Sequence, residues 1–273
     1  MDGKPGRAED RIAPGALIQI PHLTGPSRPP EPSPGSAAPR SDPLPLILWE
    51  GAGLLFLNKP AGLLVHGPES LETQVRRYLA GKLPPSLSFR PGPLHRLDRP
   101  VSGVITFSTS LEGARTFSAL LRQGGIKKRY LALVTGNPGE QAVWEDRLVR
   151  DRDQKKTFSA GDREAGAQNA LTRVWTLASA SGYSLAALEI ATGRTHQIRS
   201  QAALHGHPLA GDRKYGGAGF PAFFLHAAAL EFTGAGMPPV PKLLEAPLPP
   251  PFSRKIQELF GRKFTEIPGP YSQ

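Results

Sequence analysis

The chain has 273 residues, of which 39% are hydrophobic, so it is long enough to bury a core, and this excludes disorder of the whole chain. The 33 Lys and Arg residues outnumber the 23 Asp and Glu residues, and the resulting formal charge of +10 favours a polyanionic partner. There is no cysteine, which excludes disulfides, thiolate metal sites and cysteine nucleophiles. No apolar run approaches the roughly 18 residues of a membrane span, so we expect a cytoplasmic protein without membrane contact.

The N-terminal region is dominated by a proline-rich segment at residues 25–46 (GPSRPPEPSPGSAAPRSDPLPL). Proline lacks a backbone donor, so we predict an extended linker there. Residues 1–24 contain one short alternating apolar stretch, which is too little to form a core. We therefore expect residues 47–273 to be the folded domain.

The first elements of this domain are predicted from short apolar runs. Residues 46–49 and 54–57 flank a glycine-containing turn and predict a β-hairpin. A further short strand is predicted at residues 63–65. Ser70 is a favourable N-cap for the helical spacing of apolar residues over 71–79.

The rest of the domain alternates at first and is then mainly strand-like. A strand at 104–107 precedes a helix at 114–121, which ends at two glycines, and a strand follows at 130–134. The later predicted elements are strands at 171–178 and 183–190 and helices at 195–205 and 253–260. Together they predict an α+β fold with a mixed, mainly antiparallel central sheet flanked by helices.

One carboxylate stands out in residues 94–103 (LHRLDRPVSG). Asp98 lies between Arg96 and Arg99, on a loop that enters the strand at 104–107. Neighbouring positive charge favours the ionised form of a carboxylate. Two interpretations are open: a reactive carboxylate, or a structural Asp–Arg pair in a tight turn.

A second polar segment, residues 191–199 (ATGRTHQIR), leads into an otherwise apolar helix. Guanidinium groups and the free N–H groups of a helix N-terminus are suited to phosphate or carboxylate oxygens. A solvated basic face would not explain a histidine and a glutamine between the two arginines. Arg194, His196 and Gln197 are therefore candidate contacts to an anionic substrate.

These segments resemble the signature motifs of the RluA family of RNA pseudouridine synthases. In that family the catalytic loop reads HRLD and, two residues later, Thr-Ser-Gly; residues 95–103 here read HRLDRPVSG, with Val101 in place of the threonine. Three further segments match in the expected order: 58–66 (NKPAGLLVH), 128–134 (KRYLALV) and 225–232 (LHAAALEF). The resemblance covers about residues 46–232 and implies the pseudouridine synthase catalytic fold.

The resemblance implies a reaction and a partner. The chain would isomerise selected uridines to pseudouridine in structured RNA, with ribosomal RNA as the first expectation and transfer RNA as the alternative. The reaction breaks the N1–C1′ bond and rejoins the base through C5, without oxidation, hydrolysis or a second substrate, so neither metal nor cofactor is expected. We expect a monomer. Many family members carry an N-terminal S4-like RNA-binding domain; in the N-terminal remnant at residues 1–24, residues 15–21 resemble at most the last strand of that domain.

The resemblance also implies residue roles. Asp98 is the catalytic carboxylate, which either attacks C1′ or removes the C2′ proton, and Arg199 pairs with it. Tyr130 lies against the base and handles a proton at C5. Leu225 is an apolar contact to the base, and Arg96 fills the space that a flipped uridine leaves. Plain core packing remains an alternative for Tyr130 and Leu225.

Phosphate contacts are expected from basic clusters at residues 127–129, 152–156 and 213–214. One rival interpretation is a catalytically silent RNA-binding protein on the same fold, for which positive charge would suffice.

A second rival is a metal-dependent hydrolase. It would use His205 and His207 together with His196 or Asp212.

Overall fold

The computed structural model describes residues 44–83, 86, 89–151, 153–161, 164–217, 219–234 and 238–261. The predicted remnant at 1–24 and most of the predicted linker at 25–46 lie outside these residues. The strands are β1 (Ile47–Gly51), β2 (Leu54–Lys59), β3 (Gly92–Pro93), β4 (Ser102–Ser108), β5 (Ile126–Thr135), β6 (Gln141–Asp151), β7 (Lys156–Ser159), β8 (Gln168–Ala180), β9 (Tyr183–Ile190), β10 (Leu225–Phe232) and β11 (Leu243–Glu245). The helices are α1 (Leu71–Leu79), α2 (Leu111–Arg122), α3 (Gln197–Leu204) and α4 (Pro250–Phe260), with a 3-10 turn at Arg213–Tyr215.

The strands form one 11-stranded sheet in the order β1-β2-β4-β10-β5-β9-β8-β6-β7, with β3 beside β4 and β11 beside β10. Strands β4 and β10 run parallel, whereas the other pairs are antiparallel. The predicted mixed, mainly antiparallel sheet is therefore confirmed, as is the α+β class. No helix in the described ranges is long and apolar enough to cross a membrane.

The prediction of a strand at 63–65 is wrong, because the backbone of this segment hydrogen-bonds to a helix instead of to a neighbouring strand. The carbonyls of Leu64 and Val65 accept the N–H groups of Leu71 and Glu72, at 2.8 and 3.1 Å. These two donors open α1 and would otherwise lack partners. The hydroxyl of Ser70 accordingly makes no capping bond, although Ser70 occupies the N-cap position.

Strands β3, β6, β7, β10 and β11 were not predicted, and β6 was missed because it does not show an apolar run. In its sequence, QAVWEDRLVRD, only Trp144 and Leu148 are fully buried, so most of the strand carries polar and charged residues. A strand covered on one side needs few apolar residues. The helix predicted at 195–205 begins only at Gln197, because His196 has a left-handed backbone with φ 54°.

A glycine brings the Asp98 loop against the middle of the sheet. Gly103, the second residue of β4, has φ 115°, and a Cβ at this position would lie 2.1 Å from the carbonyl oxygen of Ala227. Only glycine tolerates both the positive φ and so close an approach of backbones. The parallel pairing of β4 with β10, through His226 opposite Ser102 and Ala227 opposite Gly103, depends on this residue.

Strand β5 separates two layers of the core by the alternation of its side chains. Tyr130, Ala132 and Val134 belong to the layer that also contains Leu97 and Ile198, near the Asp98 loop. The intervening residues Leu131 and Leu133 pack in the layer that contains Phe252 and Ile256 of α4. This alternation places the ring of Tyr130 on the same side of the sheet as Asp98.

Candidate active site

Asp98 lies on a loop whose backbone is bound by the buried ammonium group of Lys59. Lys59, with no exposed surface, donates to the carbonyl oxygens of Pro60, Leu63 and Arg99 at 2.9, 2.8 and 3.2 Å. Burial lowers the pKa of Lys59 to about 8, and the charge of Asp98 opposes this shift. Lys59 thereby joins the end of β2 to the residue that follows Asp98.

The Asp98 carboxylate is paired with Arg199, as the sequence predicted. Arg199 Nη1 donates to Asp98 Oδ2 at 3.0 Å. The other edge of the same guanidinium binds Asp212, since Nε and Nη2 donate to its two carboxylate oxygens at 2.8 Å each. Burial opposes the charge of Arg199, but the hydrogen bonds from Asp212 and Asp98 outweigh it and raise the pKa of Arg199. Arg199 is therefore a permanent cation in a fixed orientation.

Tyr130 of β5 and Leu225 of β10 are diagonal neighbours on the sheet, because Tyr130 pairs with Ala227 and Leu225 pairs with Ala132. Tyr130 is 8% exposed and Leu225 4%. Burial, with the negative charge of Asp98 as a second cause, raises the pKa of Tyr130 far above its usual value. The phenol is therefore protonated at neutral pH.

One pocket is lined by every residue that the sequence had singled out for the site. They come from four segments far apart in the chain: Arg96, Asp98, Tyr130, Arg194, His196, Gln197, Arg199 and Leu225. Apolar walls are added by Leu97, Val101, Ile190 and Ile198. The pocket thus combines one carboxylate, three guanidinium groups and apolar surface able to take a flat ring.

Gln197 lines this pocket, but its amide is already used within the protein. Its Nε2 donates to Leu171 O and to Thr172 Oγ1 at 3.0 Å each. Its Oε1 accepts from Thr192 Oγ1 at 2.7 Å and from Arg194 N at 3.0 Å. Because both donors and both lone pairs are engaged, the geometry does not favour the predicted contact of this side chain with RNA. Gln197 instead orders the loop before α3.

A wider groove continues from the pocket along the protein surface. Its cationic lining comprises Arg96, Arg99, Arg150, Lys155 and Lys214 beside Arg199, with Asp98 as its acidic residue. Lys214 Nζ donates to Lys155 O at 2.7 Å and so fixes the turn between β6 and β7 to the 3-10 turn. Such a groove is suited to a phosphodiester chain on either side of the pocket.

The predicted basic clusters are not equally available for phosphate. Arg129 pairs with Glu231 across β5 and β10. Lys128 Nζ donates to Thr192 O at 3.2 Å, and burial followed by the charge of Arg194 lowers its pKa to about 8. Arg152 lies outside the described residues.

The rival metal site does not assemble. His205 Nε2 lies 3.1 Å from Asp146 Oδ2, and its ring stacks on Trp144. His207 Nδ1 lies 3.0 Å from Thr135 O, whereas Asp212 is engaged by Arg199. Among the described residues, no three His, Asp or Glu side chains are grouped so that they could hold a metal ion.

Two residues of the site were not assigned these roles from the sequence: Lys59 and Asp212. Asp212 was considered only as a metal ligand, and Lys59 only as part of the matching segment 58–66. The signal lay in the segment GDRKYG at residues 211–216, where an acid and a tyrosine follow the arginine helix at short spacing. Their partners, however, could not be read from that spacing.

The fold is that of a pseudouridine synthase. Residues 53–204, more than half of the chain, match the family model described as RNA pseudouridylate synthase. The chain belongs to this family, of the RluA type. The sequence-based assignment to a family of RNA-acting isomerases is thus confirmed.

The relatives differ in the RNA that they are named for. Ribosomal large subunit pseudouridine synthase C of Escherichia coli is 33% identical over 231 residues, which cover 78% of this chain and 70% of that protein. The tRNA pseudouridine synthase C of Haemophilus ducreyi is 34% identical over 210 residues, covering 68% and 84%. Among solved structures, human RNA pseudouridylate synthase domain containing 4 superposes with a TM-score of 0.64 at 25% identity, over 78% of this chain and 92% of that one.

Proposed function

We propose that this chain converts uridine to pseudouridine in ribosomal RNA of the large subunit, with Asp98 as its catalytic carboxylate. The observation that carries the proposal is the Asp98–Arg199 contact of 3.0 Å at a pocket that also contains Tyr130. The name of the relative in Escherichia coli supports ribosomal RNA as the substrate. A location in the cytoplasm and a monomeric state stay predictions.

The reaction is an isomerisation, so atoms and electrons balance within the substrate. The N1–C1′ bond breaks, the uracil turns in place, a C5–C1′ bond forms, and the proton from C5 ends on N1. Asp98 either attacks C1′ or removes the C2′ proton, and both routes need its ionised form. Arg199 stabilises that form and orients it without reacting. No electron acceptor or second substrate takes part.

Tyr130 supplies the flat surface for the base and a hydroxyl near C5 in this proposal. Because burial raises its pKa, the phenol does not act as a free phenolate. It relays a proton, accepting one while it passes on its own. Leu225, next to it on the sheet, supplies an apolar contact to the uracil.

A target uridine in folded RNA must leave its stack to reach the pocket, which costs a few kcal/mol. Arg96 is exposed and lies on the rim of both the pocket and the groove. It is placed to occupy the space that the base leaves. Arg150, Lys155 and Lys214 would bind phosphates of the flanking nucleotides, and Arg194 an oxygen at the pocket mouth.

The domain division stays a proposal: residues 1–24 as a remnant, 25–46 as a linker and 47–273 as the catalytic domain. The family match within 53–204 supports the position of the last of these.

Transfer RNA is the second candidate substrate, because the relative in Haemophilus ducreyi is named for it. Mapping of pseudouridines in ribosomal and transfer RNA, from cells with and without the gene, distinguishes the two. Complementation with Asp98→Asn is the control, since the carboxamide keeps the size of the side chain and can neither attack C1′ nor accept the C2′ proton. Pseudouridine formation by Asp98→Asn would refute the catalytic assignment, and a site lost only from transfer RNA would refute the ribosomal substrate.

A further inference from the structure

The imidazole of His196 lies between the Asp98 carboxylate and the hydroxyl of Tyr215. His196 Nε2 is 3.5 Å from Asp98 Oδ2, and His196 Nδ1 is 2.8 Å from Tyr215 Oη. The two rings meet edge to face, with centroids 5.6 Å apart and planes at 89°. The histidine side chain is 11% exposed. Its orientation is therefore fixed on both sides by protein groups.

The neighbours of Nδ1 determine which ring nitrogen carries the proton. Tyr215 Oη accepts the N–H of Thr157 at 2.8 Å, so its own proton is free to point at Nδ1. Burial raises the pKa of Tyr215, which keeps that proton in place. Arg150 Nη1, which is a donor only, lies 3.4 Å from the same Nδ1. With two donors directed at it, Nδ1 is the acceptor and Nε2 carries the hydrogen.

The charges around the ring keep it neutral. Burial lowers the pKa of His196 to about 4; Asp98 opposes this shift, whereas Arg199, Arg150 and Lys214 add to it. These groups come from the Asp98 loop, α3, β6 and the 3-10 turn, the elements that surround the ring. Above about pH 5, His196 is therefore a neutral N–H donor that leaves the charge balance of Asp98 and Arg199 unchanged.

Both groups that face the carboxylate approach the same oxygen. Arg199 Nη1 and His196 Nε2 are directed at Oδ2 of Asp98. No side chain in the described part of the chain binds Oδ1. An Asp held through one oxygen presents the other to a ligand in the pocket.

We propose that His196 is a positioning residue that acts through Asp98: as a neutral imidazole with its hydrogen on Nε2, set by the Tyr215 hydroxyl, it fixes Oδ2 and directs Oδ1 to the sugar. This inference rests on the proposed role of Asp98 and replaces the prediction that His196 binds the substrate. At 3.5 Å the contact is longer than a hydrogen bond. We expect it to shorten when RNA fills the pocket, as contacts in ligand-free active sites commonly do.

The tautomer is measurable in the free protein, without RNA. In long-range ¹H–¹⁵N spectra of protein labelled at histidine nitrogens, the resonances lost in His196→Phe identify residue 196. We expect an unprotonated Nδ1 and a protonated Nε2 that do not titrate between pH 5.5 and 8. Tyr215→Phe, which removes the hydroxyl, should mix the two tautomers. A proton on Nδ1, or titration near the ordinary pKa of about 6.5, overturns the inference.

The positioning role is measured with two substitutions at the same backbone position. His196→Phe keeps a ring against Tyr215 but has no donor, whereas His196→Gln carries an N–H at a similar reach. The probe is total RNA from cells lacking the gene, which contains both candidate substrates. At saturating enzyme, His196→Phe should lower the single-turnover rate about tenfold, as loss of one hydrogen bond to a charged group does. His196→Gln should recover part of the rate, and both variants should bind RNA like the wild type.

Three outcomes contradict the role: an unchanged rate in His196→Phe, no recovery in His196→Gln, or weaker RNA binding with a normal rate at saturation. The last of these would make His196 a substrate contact. Activity of Asp98→Asn would instead refute the proposed function while leaving the measured tautomer unaffected. The failures of the two proposals are thus distinguishable.

Discussion

Replacement of Asp212 by asparagine tests whether the site depends on a buried charge pair. Asp212 is 1% exposed and Arg199 7%, and two hydrogen bonds of 2.8 Å join them. Asp212→Asn keeps the shape but offers one acceptor oxygen, so one of these bonds is lost and the Arg199 charge loses its main partner. Hydrogen bonds to charged groups contribute about 1.5–3 kcal/mol, and breaking a buried ion pair costs about 3–5 kcal/mol. We expect the free energy of unfolding to fall by about 2–4 kcal/mol.

Urea unfolding at pH 7, followed by circular dichroism and tryptophan fluorescence, measures this loss. The matched control is Glu189→Gln, which weakens an ion pair with Arg173 of 3.5 Å, in which the arginine side chain is 48% exposed. Such pairs contribute about 0–1 kcal/mol, so the control should remain near wild type. A loss below about 1 kcal/mol in Asp212→Asn would refute the reasoning, because Arg199 would then be held without its buried partner.

Asp212→Asn should also reduce turnover more than RNA binding. With one bond fewer, the guanidinium would orient Asp98 less strictly, whereas affinity comes mainly from contacts between basic side chains and phosphates. A single-turnover assay at saturating enzyme, with a filter-binding assay beside it, separates the two effects. Weakened binding with an unchanged rate would place Arg199 and Asp212 in the RNA interface instead.

Four further predictions concern other parts of the chain. Tyr130→Phe keeps the ring but not the hydroxyl, so the single-turnover rate should fall at least a hundredfold with little change in RNA affinity; a wild-type rate would refute the proton relay. Gly103→Ala would place a Cβ 2.1 Å from Ala227 O and should lower the midpoint of thermal unfolding strongly, whereas Gly92→Ala, with open space at its Cβ, should not. Burial lowers the pKa of His226 to about 4. The neutral ring therefore contributes its full stabilisation above the unfolded pKa of 6.5, and this contribution is lost as the pH falls towards 4. By pH 5 the free energy of unfolding should have fallen by about 2 kcal/mol, and His226→Asn should show a correspondingly flatter pH dependence in urea unfolding. A chain that starts at Asp42 should keep the wild-type melting temperature, because a proline-rich segment has little to pack with; a large drop would show that residues 1–41 dock on the domain.

The sequence by itself determined the elements with strong periodicity and the loops with unusual composition. Helices α1 and α2 follow from apolar residues at helical spacing, and β4 and β5 from continuous apolar runs. The segments around Asp98 and Arg199 stood out by their composition, but their roles came from the resemblance to the signature motifs of the RluA family. These signals are local in the sequence, so they can be recognised without a structure.

Apart from the Asp98–Arg199 pair, which the family resemblance implied, the tertiary structure alone decided which groups meet within the site. Arg199 lies 101 residues from Asp98 and 13 from Asp212, yet its guanidinium binds both. The hydroxyl of Tyr215 meets His196 and Thr157 because β7, the start of α3 and the 3-10 turn converge there. Gln197 makes its hydrogen bonds within the protein, although the polar composition of residues 191–199 suggested a contact with the substrate. Hydrogen-bond partners depend on how distant segments pack, because a change of a few tenths of an ångström in the donor–acceptor distance makes or breaks a bond. No pattern of neighbouring residues could therefore have predicted this arrangement.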